Sequence, residues 1–474
     1  MQAVYSAAEI RAAEDTLLAT VAEGALMQRA ARGLAVHCAA LLGRVYGARV
    51  VLLVGAGNNG GDALFAGAEL ATRGANVTAM LLDRERAHAA GVAALRRAGG
   101  RCVDPDVDAV RDADLVVDGI VGIGGTAGLR GIAVDLAAAA EGVLTVAVDV
   151  PSGVDASTGA VSGASVRADV TVSFGALKTG LVVGPGAECS GQLRLVAIGL
   201  DAVLPPPTVH VLEAADIRDL LPEPDCDDDK YTRGVTGVAA GSAQYSGAGV
   251  LATGAALVGG AGMVRYLGLA PDAVRTRYPE VVVHADSAPH DVQVQAWVVG
   301  PGLGTGDDAS ALLADVLSTD VPVIADADAI TLIGRRPELV RERSAPTVLT
   351  PHDREFARIA DGPGRDRLDA VRRAADDLRA TVLLKGNATI IAEPGGRAFV
   401  NATGTPWLGT AGSGDVLSGL IGSLLAGGLE CGVAAAVATF IHGVAGQRAA
   451  SGGPPTAVDI LNELRATMAS IRGG

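Results

Sequence analysis

The chain has 474 residues, 49% hydrophobic but only 3% aromatic, so its length calls for two cores built from Ala, Val, Leu and Ile. A formal net charge of −15 excludes a general binder of nucleic acid or anionic membranes, although it leaves room for a local positive pocket. Five scattered cysteines with no Cys-x-x-Cys pair fit reduced thiols in a cytoplasm, and no Cys/His cluster recommends zinc.

Helical periodicity opens the chain over residues 7–42, with Glu9 and Glu14 where a signal peptide would need an apolar core. Strands are predicted over 50–54, 76–82, 114–117, 144–150, 170–174 and 193–198, and a helix over 62–73. Apolar strands alternating with helices predict a Rossmann-like, three-layer αβα domain with a parallel sheet.

Gly55-Ala56-Gly57-Asn58-Asn59-Gly60-Gly61-Asp62 follows the first of these strands. It matches the G-x-G-x-x-G dinucleotide fingerprint, and Asp83 lies at about the ribose-binding distance, so a nicotinamide dehydrogenase is a serious reading. Asn58, Asn59 and Asp62 pull away from it, because they crowd polar side chains where a pyrophosphate would rest. Polar stations also follow later strands: Asp118-Gly119-Ile120-Val121-Gly122-Ile123-Gly124-Gly125, Asp149-Val150-Pro151-Ser152-Gly153-Val154-Asp155 and Phe174-Gly175-Ala176-Leu177-Lys178. Groups at the C-terminal ends of neighbouring parallel strands converge on one crevice. There Asn59, Asp118 and Ser152 are candidate hard oxygen ligands for a cation, while Asn59 and Ser152 could equally satisfy turn backbone.

These stations, with Leu26-Met27-Gln28-Arg29-Ala30, resemble the NAD(P)H-hydrate epimerase domain over about the first 200 residues. Ala63 stands where that family commonly has a further glycine. The resemblance implies that Asn58, Asn59, Gly60, Gly61 and Asp62, the loop Gly122-Ile123-Gly124-Gly125, and Asp149 hold the hydrated nucleotide. It puts K⁺ among Asn59, Asp118 and Ser152. Epimerisation at a carbon bearing hydroxyl and ring nitrogen needs C–O or C–N cleavage assisted by proton transfer, for which Asp149 and Lys178 are the catalytic candidates.

Pro205-Pro206-Pro207 and the acidic stretch 221–229 break the pattern, and the boundary is drawn between 1–210 and 211–474. The uncharged run 241–264 reads as a glycine-rich loop entering a buried helix rather than a membrane span. Strands are predicted over 235–239, 297–299, 321–325, 347–349, 381–384 and 389–391. Two nearly uncharged helices, from 416 and from 433, and an amphipathic helix over 457–470 follow. Only three lysines occur, Lys178, Lys230 and Lys385; in a chain otherwise using Arg, they are candidates for positions that need a compact ammonium.

The second half lacks a P-loop. Gly409-Thr410-Ala411-Gly412-Ser413-Gly414-Asp415 instead opens a helix, where N–H groups can neutralise a transferring phosphoryl while Asp415 accepts a hydroxyl proton. Upstream lie Gly300-Pro301-Gly302-Leu303-Gly304, Asp326-Ala327-Asp328, Thr350-Pro351-His352 and Lys385-Gly386-Asn387-Ala388-Thr389. In this order they resemble the ribokinase-like NAD(P)H-hydrate dehydratases, from about residue 214 to the end. The resemblance implies a ribokinase-like α/β domain in which Ala248, Gly302, His352 and catalytic Asp415 face the hydrate. Lys385, Gly386, Asn387, Ala388, Thr389 and Gly414 would bind ADP or AMP, with Mg²⁺ accompanying ADP.

The whole chain thus resembles a fused repair enzyme that interconverts R and S hydrates of NADH and NADPH and dehydrates the S form at the expense of ADP, or ATP, yielding AMP and phosphate from ADP. Its expected setting is cytoplasmic, as a homo-oligomer without nucleic-acid or membrane partners. A vitamin or sugar kinase fused to a Rossmann-type domain and a non-catalytic scaffold are the alternative readings.

Overall fold

Short runs rich in Val, Leu and Ile, many of them closed by glycine or a polar residue, set the strands in a computed structural model that describes residues 1–125, 128–285 and 287–473. Contacts divide the chain into two units, residues 3–208 and residues 1–2 with 209–474.

In the first unit β1 (Gln2–Tyr5) leads the helix Ala7–Leu18; β2 (Arg49–Val54), β3 (Asn76–Leu81), β4 (Arg101–Val103), β5 (Leu115–Gly119), β6 (Thr145–Val148) and β7 (Val170–Phe174) follow. The unit ends with β8 (Leu177–Lys178), parallel to β1, and β9 (Gln192–Val196). Seven strands form a parallel sheet in the order β4-β3-β2-β5-β6-β7-β9. The order reverses between β2 and β5, which opens a crevice at their C-terminal ends.

Val50, Leu52 and Val54 pack on one face with Leu34, Leu64 and Leu95, while Val51 and Leu53 pack on the other with Val110 and Leu136. Alternate side chains of a single strand therefore feed two helix layers. The predicted helical run 7–42 is two helices, Ala7–Leu18 and Ala25–Leu42, because Gly24 at φ 76° starts the second. The helix expected from residue 62 begins at Asn58, so the Asn-Asn-Gly-Gly-Asp string is its first turn and not a loop before it. Gly55 is required by close approach: a Cβ there would lie 1.9 Å from the Ile120 carbonyl oxygen.

The second unit contains β10 (Val209–Val211), β11 (Val235–Ala239), β12 (Met263–Tyr266), β13 (Val282–Val283) and β14 (Ala296–Val299). After these come β15 (Val323–Ala325), β16 (Thr347–Leu349), β17 (Thr381–Leu384), β18 (Thr389–Ala392) and β19 (Ala398–Asn401). Within this unit they run β13-β12-β11-β14-β15-β16-β17-β18-β19-β10. Only β18 is antiparallel to its neighbours, as the four-residue connection from Leu384 to Thr389 demands.

Helices Ser246–Val258, Ser413–Ala426, Cys431–Ala450 and Ala457–Gly473 contribute one continuous apolar core with the sheet. The uncharged run 241–264 ends in β12 and not in helix, because Gly259 and Gly260 close the helix before it. Among the described residues no helix is long and apolar enough to cross a membrane. Residues 222–233 are exposed, and Lys230 stands 5.2 Å over the Tyr231 ring.

Candidate functional sites

The crevice of the first unit is a cavity of about 490 Å³ whose lining includes Glu14, Met27, Asn58, Asn59, Asp62, Phe65, His88, Ile123, Asp149 and Phe174. Asp149 follows β6 with φ 67°, an uncommon backbone for a non-glycine residue, and its side chain is 9% exposed. Lys178 is fully buried and spends all three ammonium donors: on Asp149 Oδ1, on Ser173 Oγ at 3.1 Å and on the Phe174 carbonyl at 2.9 Å. Asp149 Oδ1 also accepts the Phe174 N–H at 3.0 Å. A planar guanidinium could not fill this compact three-way socket, which accounts for lysine in an arginine-rich chain.

Asp62, on the first turn of its helix, is 6% exposed and its Oδ1 has no hydrogen-bond partner. Burial, then Asp149 and Glu14, push its carboxyl well above the ordinary value despite Lys178. Gly60 and Gly61 are buried beneath that turn, and Gly122 abuts it: a Cβ on Gly122 would meet Asn59 Oδ1 at 2.3 Å. Arg11 donates to the Ile123 carbonyl and pins this loop, while Gly124 and Gly125 continue away from the cavity lining. Asp83, the ribose candidate of the dehydrogenase reading, is taken up by the N–H groups of Glu85 and Arg86 and does not line the cavity.

Behind the cavity Asp118 is fully buried. Its Oδ1 accepts Ser152 Oγ at 2.6 Å and its Oδ2 accepts Ser152 N at 2.8 Å. Ser152 Oγ also meets the backbone of Val121, and Asn59 Nδ2 donates to the Val148 carbonyl at 2.6 Å, so Asn59, Asp118 and Ser152 gather at one place. Burial pushes Asp118 up to about 6 against the hydrogen bonds from Ser152 and Ile120. Among the described residues it has no basic partner.

In the second unit two cavities meet at the start of the helix Ser413–Ala426, whose N-cap Gly412 has φ 91°. One, of about 570 Å³, is lined by Tyr245, Ala248, Gly302, Asp328, Gly412 and Asp415 among others. The other, of about 450 Å³, is lined by His352, Lys385, Gly386, Asn387, Thr389, Ser413, Gly414 and His442 among others. His352 thus lies with the Lys385 turn, apart from Ala248 and Gly302, and caps the helix Asp353–Ile359 through Nδ1. Ala388 is buried inside the turn that Thr389 Oγ1 closes onto the Gly386 carbonyl.

Lys385 Nζ donates to Asp326 Oδ1 at 2.8 Å and lies 3.9 Å from Glu355. Ser418 Oγ holds the other Asp326 oxygen at 2.7 Å. Burial opposes the Lys385 charge, but Asp326, Glu355 and Asp415 together hold it above the ordinary lysine value. Asp415 is pushed up to about 7 by burial first, then by Asp326 and Asp328, with Lys385 opposing. Between the two acidic neighbours, Ala327 takes φ 51°; Asp326 turns to Lys385, and Asp328 Oδ2 accepts the Gly304 N–H at 2.8 Å.

Sequence reasoning missed Glu14, Phe65 and His88 in the first cavity, and Ser413, Ser418 and His442 around the second pair. His442 is buried, hydrogen-bonded to Ser413 Oγ at 3.2 Å, and lowered to about 4 chiefly by burial. Ser413 stood inside the quoted motif, but the other five lay outside every quoted station.

Comparison with known proteins gives two family matches: "YjeF-related protein N-terminus" over residues 23–180, and NAD(P)H-hydrate dehydratase over residues 236–463. The chain is 49% identical to the bifunctional NAD(P)H-hydrate repair enzyme of Mycobacterium leprae, over 99% of this chain and all of that one. It is 51% identical to the Mycobacterium tuberculosis protein of the same description, over 92% of each. Among solved structures it resembles an ADP/ATP-dependent NAD(P)H-hydrate dehydratase from Bacillus subtilis co-crystallised with ATP and Mg²⁺, at 26% identity and TM-score 0.50, covering 55% of this chain and 97% of that one. A ribokinase-like protein from Enterococcus faecalis matches at 25% identity and TM-score 0.51, over 57% and 99%.

Proposed function

We propose residue-level roles for a chain that belongs to the family of bifunctional NAD(P)H-hydrate repair enzymes. The first unit, within 1–210, epimerises the R and S hydrates of NADH and NADPH. The second, within 211–474, dehydrates the S hydrate at the expense of ADP or ATP. The observation that carries the second assignment is the junction at Gly412–Asp415: consecutive residues of one helix start line two cavities, one suited to a phosphoryl donor and one to its acceptor.

At that junction Asp415 takes the proton of the hydrate hydroxyl as its oxygen attacks the terminal phosphorus of ADP. The bond to AMP breaks, and the N–H groups at the helix start receive the charge of the moving phosphoryl. Loss of phosphate and one ring proton then restores the dihydronicotinamide. Ala248 and Gly302 line the hydrate side. Lys385, Gly386, Asn387, Thr389 and Gly414 hold the nucleotide, with Ala388 buried in the turn as support, and His352 lines the same nucleotide-side cavity.

Mg²⁺ accompanies the nucleotide and neutralises phosphate charge. Among the described residues no three His, Cys, Asp or Glu side chains are placed to hold a metal ion together, and Mg²⁺ is commonly bound through one or two carboxylates plus phosphates and water. Asp326 and Glu355, gathered around Lys385, are the carboxylates the protein offers it.

In the first unit Asn58 to Asp62, the Gly122 loop and Asp149 surround the hydrated ring. Asp149, salt-bridged to Lys178, exchanges a proton with the water that leaves and returns. K⁺ fits beside Asp118: a buried carboxylate without a basic partner gains from a monovalent cation, and Asn59 Oδ1 and Ser152 Oγ supply further hard oxygens. The experiment is direct. Incubation with R and S hydrates should show interconversion without nucleotide, and recovery of NADPH absorbance only when ADP or ATP is added. Interconversion or recovery failing in the intact chain would refute the corresponding half.

A further inference from the structure

The first cavity holds more acid than Asp149 and Lys178 use. Four carboxyl groups line one space: Glu23, which is exposed, and Glu14 from the helix Ala7–Leu18, Asp62 from the helix Asn58–Thr72 and Asp149 after β6, with Lys178 bonded to Asp149. Lys178 is committed to Asp149, Ser173 and Phe174, so it has no donor left for Glu14 or Asp62. Asp62 Oδ1 is buried without a partner in the same cavity. Met27, Phe65, Ile123 and Phe174 make the surroundings apolar. An ionised carboxylate is costly in such a place, and a second carboxylate lining the same space adds to the cost, which favours a protonated Asp62.

Resting on the epimerase reading, we infer that Glu14 and Asp62 form a second proton-carrying station of the first unit, complementary to Asp149, in which Asp62 faces the hydrate and Glu14 is the positioning residue that keeps the proton on it. Inversion at the hydroxyl-bearing carbon by departure and return of water needs a proton given on one side and taken on the other. Asp62 gives its proton to the hydroxyl as the C–O bond breaks and the ring-nitrogen lone pair forms C=N. A water then adds to the opposite face, and Asp149 takes the proton it sheds as the new C–O bond forms. The proton returns to the Glu14–Asp62 station through solvent, and the reverse reaction uses the same groups with roles exchanged. No oxidant or reductant enters.

Glu14 lies upstream of residues 23–180, the span matched by the N-terminal family model, so nothing in that match designates it. The charged and titratable groups around the station are Arg11 and Asp15 on its own helix, Glu23 before the next helix, Arg29 turned to the Ile198 carbonyl, His88, Asp149 and Lys178. Burial, with Asp149 next, pushes Glu14 upward as well, against Lys178 and Arg11.

The test is the pH profile of R-to-S conversion in the full chain with saturating hydrate. Wild type should lose rate as rising pH removes the proton from the station. Glu14→Gln should slow conversion by about 10²–10⁴-fold, with kcat affected more than KM. It should also move the remaining alkaline limb to lower pH, because the carboxylate that raises Asp62 is gone. Glu14→Asp should restore the limb and part of the rate. Wild-type rate in Glu14→Gln, or a slow variant whose limb has not moved, would overturn the inference; the latter would mean a packing role. If Glu14→Gln does not fold, Glu14→Ala takes its place with the same expected shift of the limb and the same overturning outcomes. A wild-type chain that fails to interconvert the hydrates would instead defeat the underlying reading, which separates the two failures.

Discussion

Both units set a scarce lysine against buried aspartates at the C-terminal ends of parallel strands, yet they connect the charges differently. In the first unit Lys178 is bonded directly to Asp149, the residue assigned to chemistry, and leaves Asp62 without a cation. In the second Lys385 is bonded to Asp326, and Asp415, assigned as base, keeps its distance and is pushed up to about 7. A bonded lysine occupies a lone pair of its carboxylate and fixes the direction in which the group faces. Asp415, raised by burial and like-charged neighbours, is a good proton acceptor that is only half ionised near neutral pH. One motif, read at two positions, thus yields an ion pair in one place and a poised base in the other.

The largest effect should come from the poised base. Asp415→Asn should slow dehydration by about 10²–10⁴-fold, on the order of 3–5 kcal/mol of barrier, while R-to-S conversion stays unchanged. The paired assays are NADPH recovery and chromatography of the hydrates. In wild type, dehydration should be lost as pH falls through about 7, because the base must be ionised. A carboxyl raised on folding costs stability as pH climbs from the ordinary carboxylate value toward about 7, so Asp415→Asn should gain unfolding stability over wild type across that range and hold the gain above it. A flat profile in both measurements would erase the contrast between the two sites.

Breaking the ion pair comes next. Lys178→Met leaves Asp149 buried and unpaired, and denaturant unfolding should show about 3–5 kcal/mol lost from the first unit together with its epimerase activity. Asp118→Ala should weaken hydrate turnover by about 10–100-fold, the worth of one buried contact to a charged group, and abolish any response to added K⁺. Unchanged K⁺ dependence would place the ion elsewhere. The smallest effect belongs to Lys385→Met, which should raise the KM for ADP about tenfold and leave that for the hydrate alone. Because Lys385 opposes the upward push on Asp415, the acid limb of dehydration should also move to higher pH in that variant.

Much of this was legible in the sequence because strands and stations alternate regularly. Residues 235–239, 347–349 and 381–384 are strands with the predicted ends, short runs bounded by Gly234, by Pro346 and Pro351, and by Lys385-Gly386. Less legible were β4, β8 and β13, whose two or three residues are too short for any periodicity, and the early helix start at Asn58, where two glycines and two asparagines argue locally for a turn. Tertiary contact overrides that preference, since Gly60 lets the first turn sit against the end of β2 and Gly61 lets it sit against Met27 and His88. Partners at the sites were hidden for the same reason. The Asp326–Ser418 and Ser413–His442 contacts join residues 92 and 29 positions apart, and Glu14 reaches its cavity from a helix whose sequence reads simply as amphipathic.

Ala327 carries one more lesson, about what selection can reach. Its φ of 51° belongs to a backbone that glycine enters freely and alanine only under strain, a cost on the order of 1–3 kcal/mol. A single substitution to glycine would release that strain and make the chain sturdier, but it would also free the peptide that aims Asp326 at Lys385 and Asp328 at Gly304. The alanine therefore works as a latch kept under tension: durability is surrendered at one residue so that two adjacent carboxylates cannot exchange their targets.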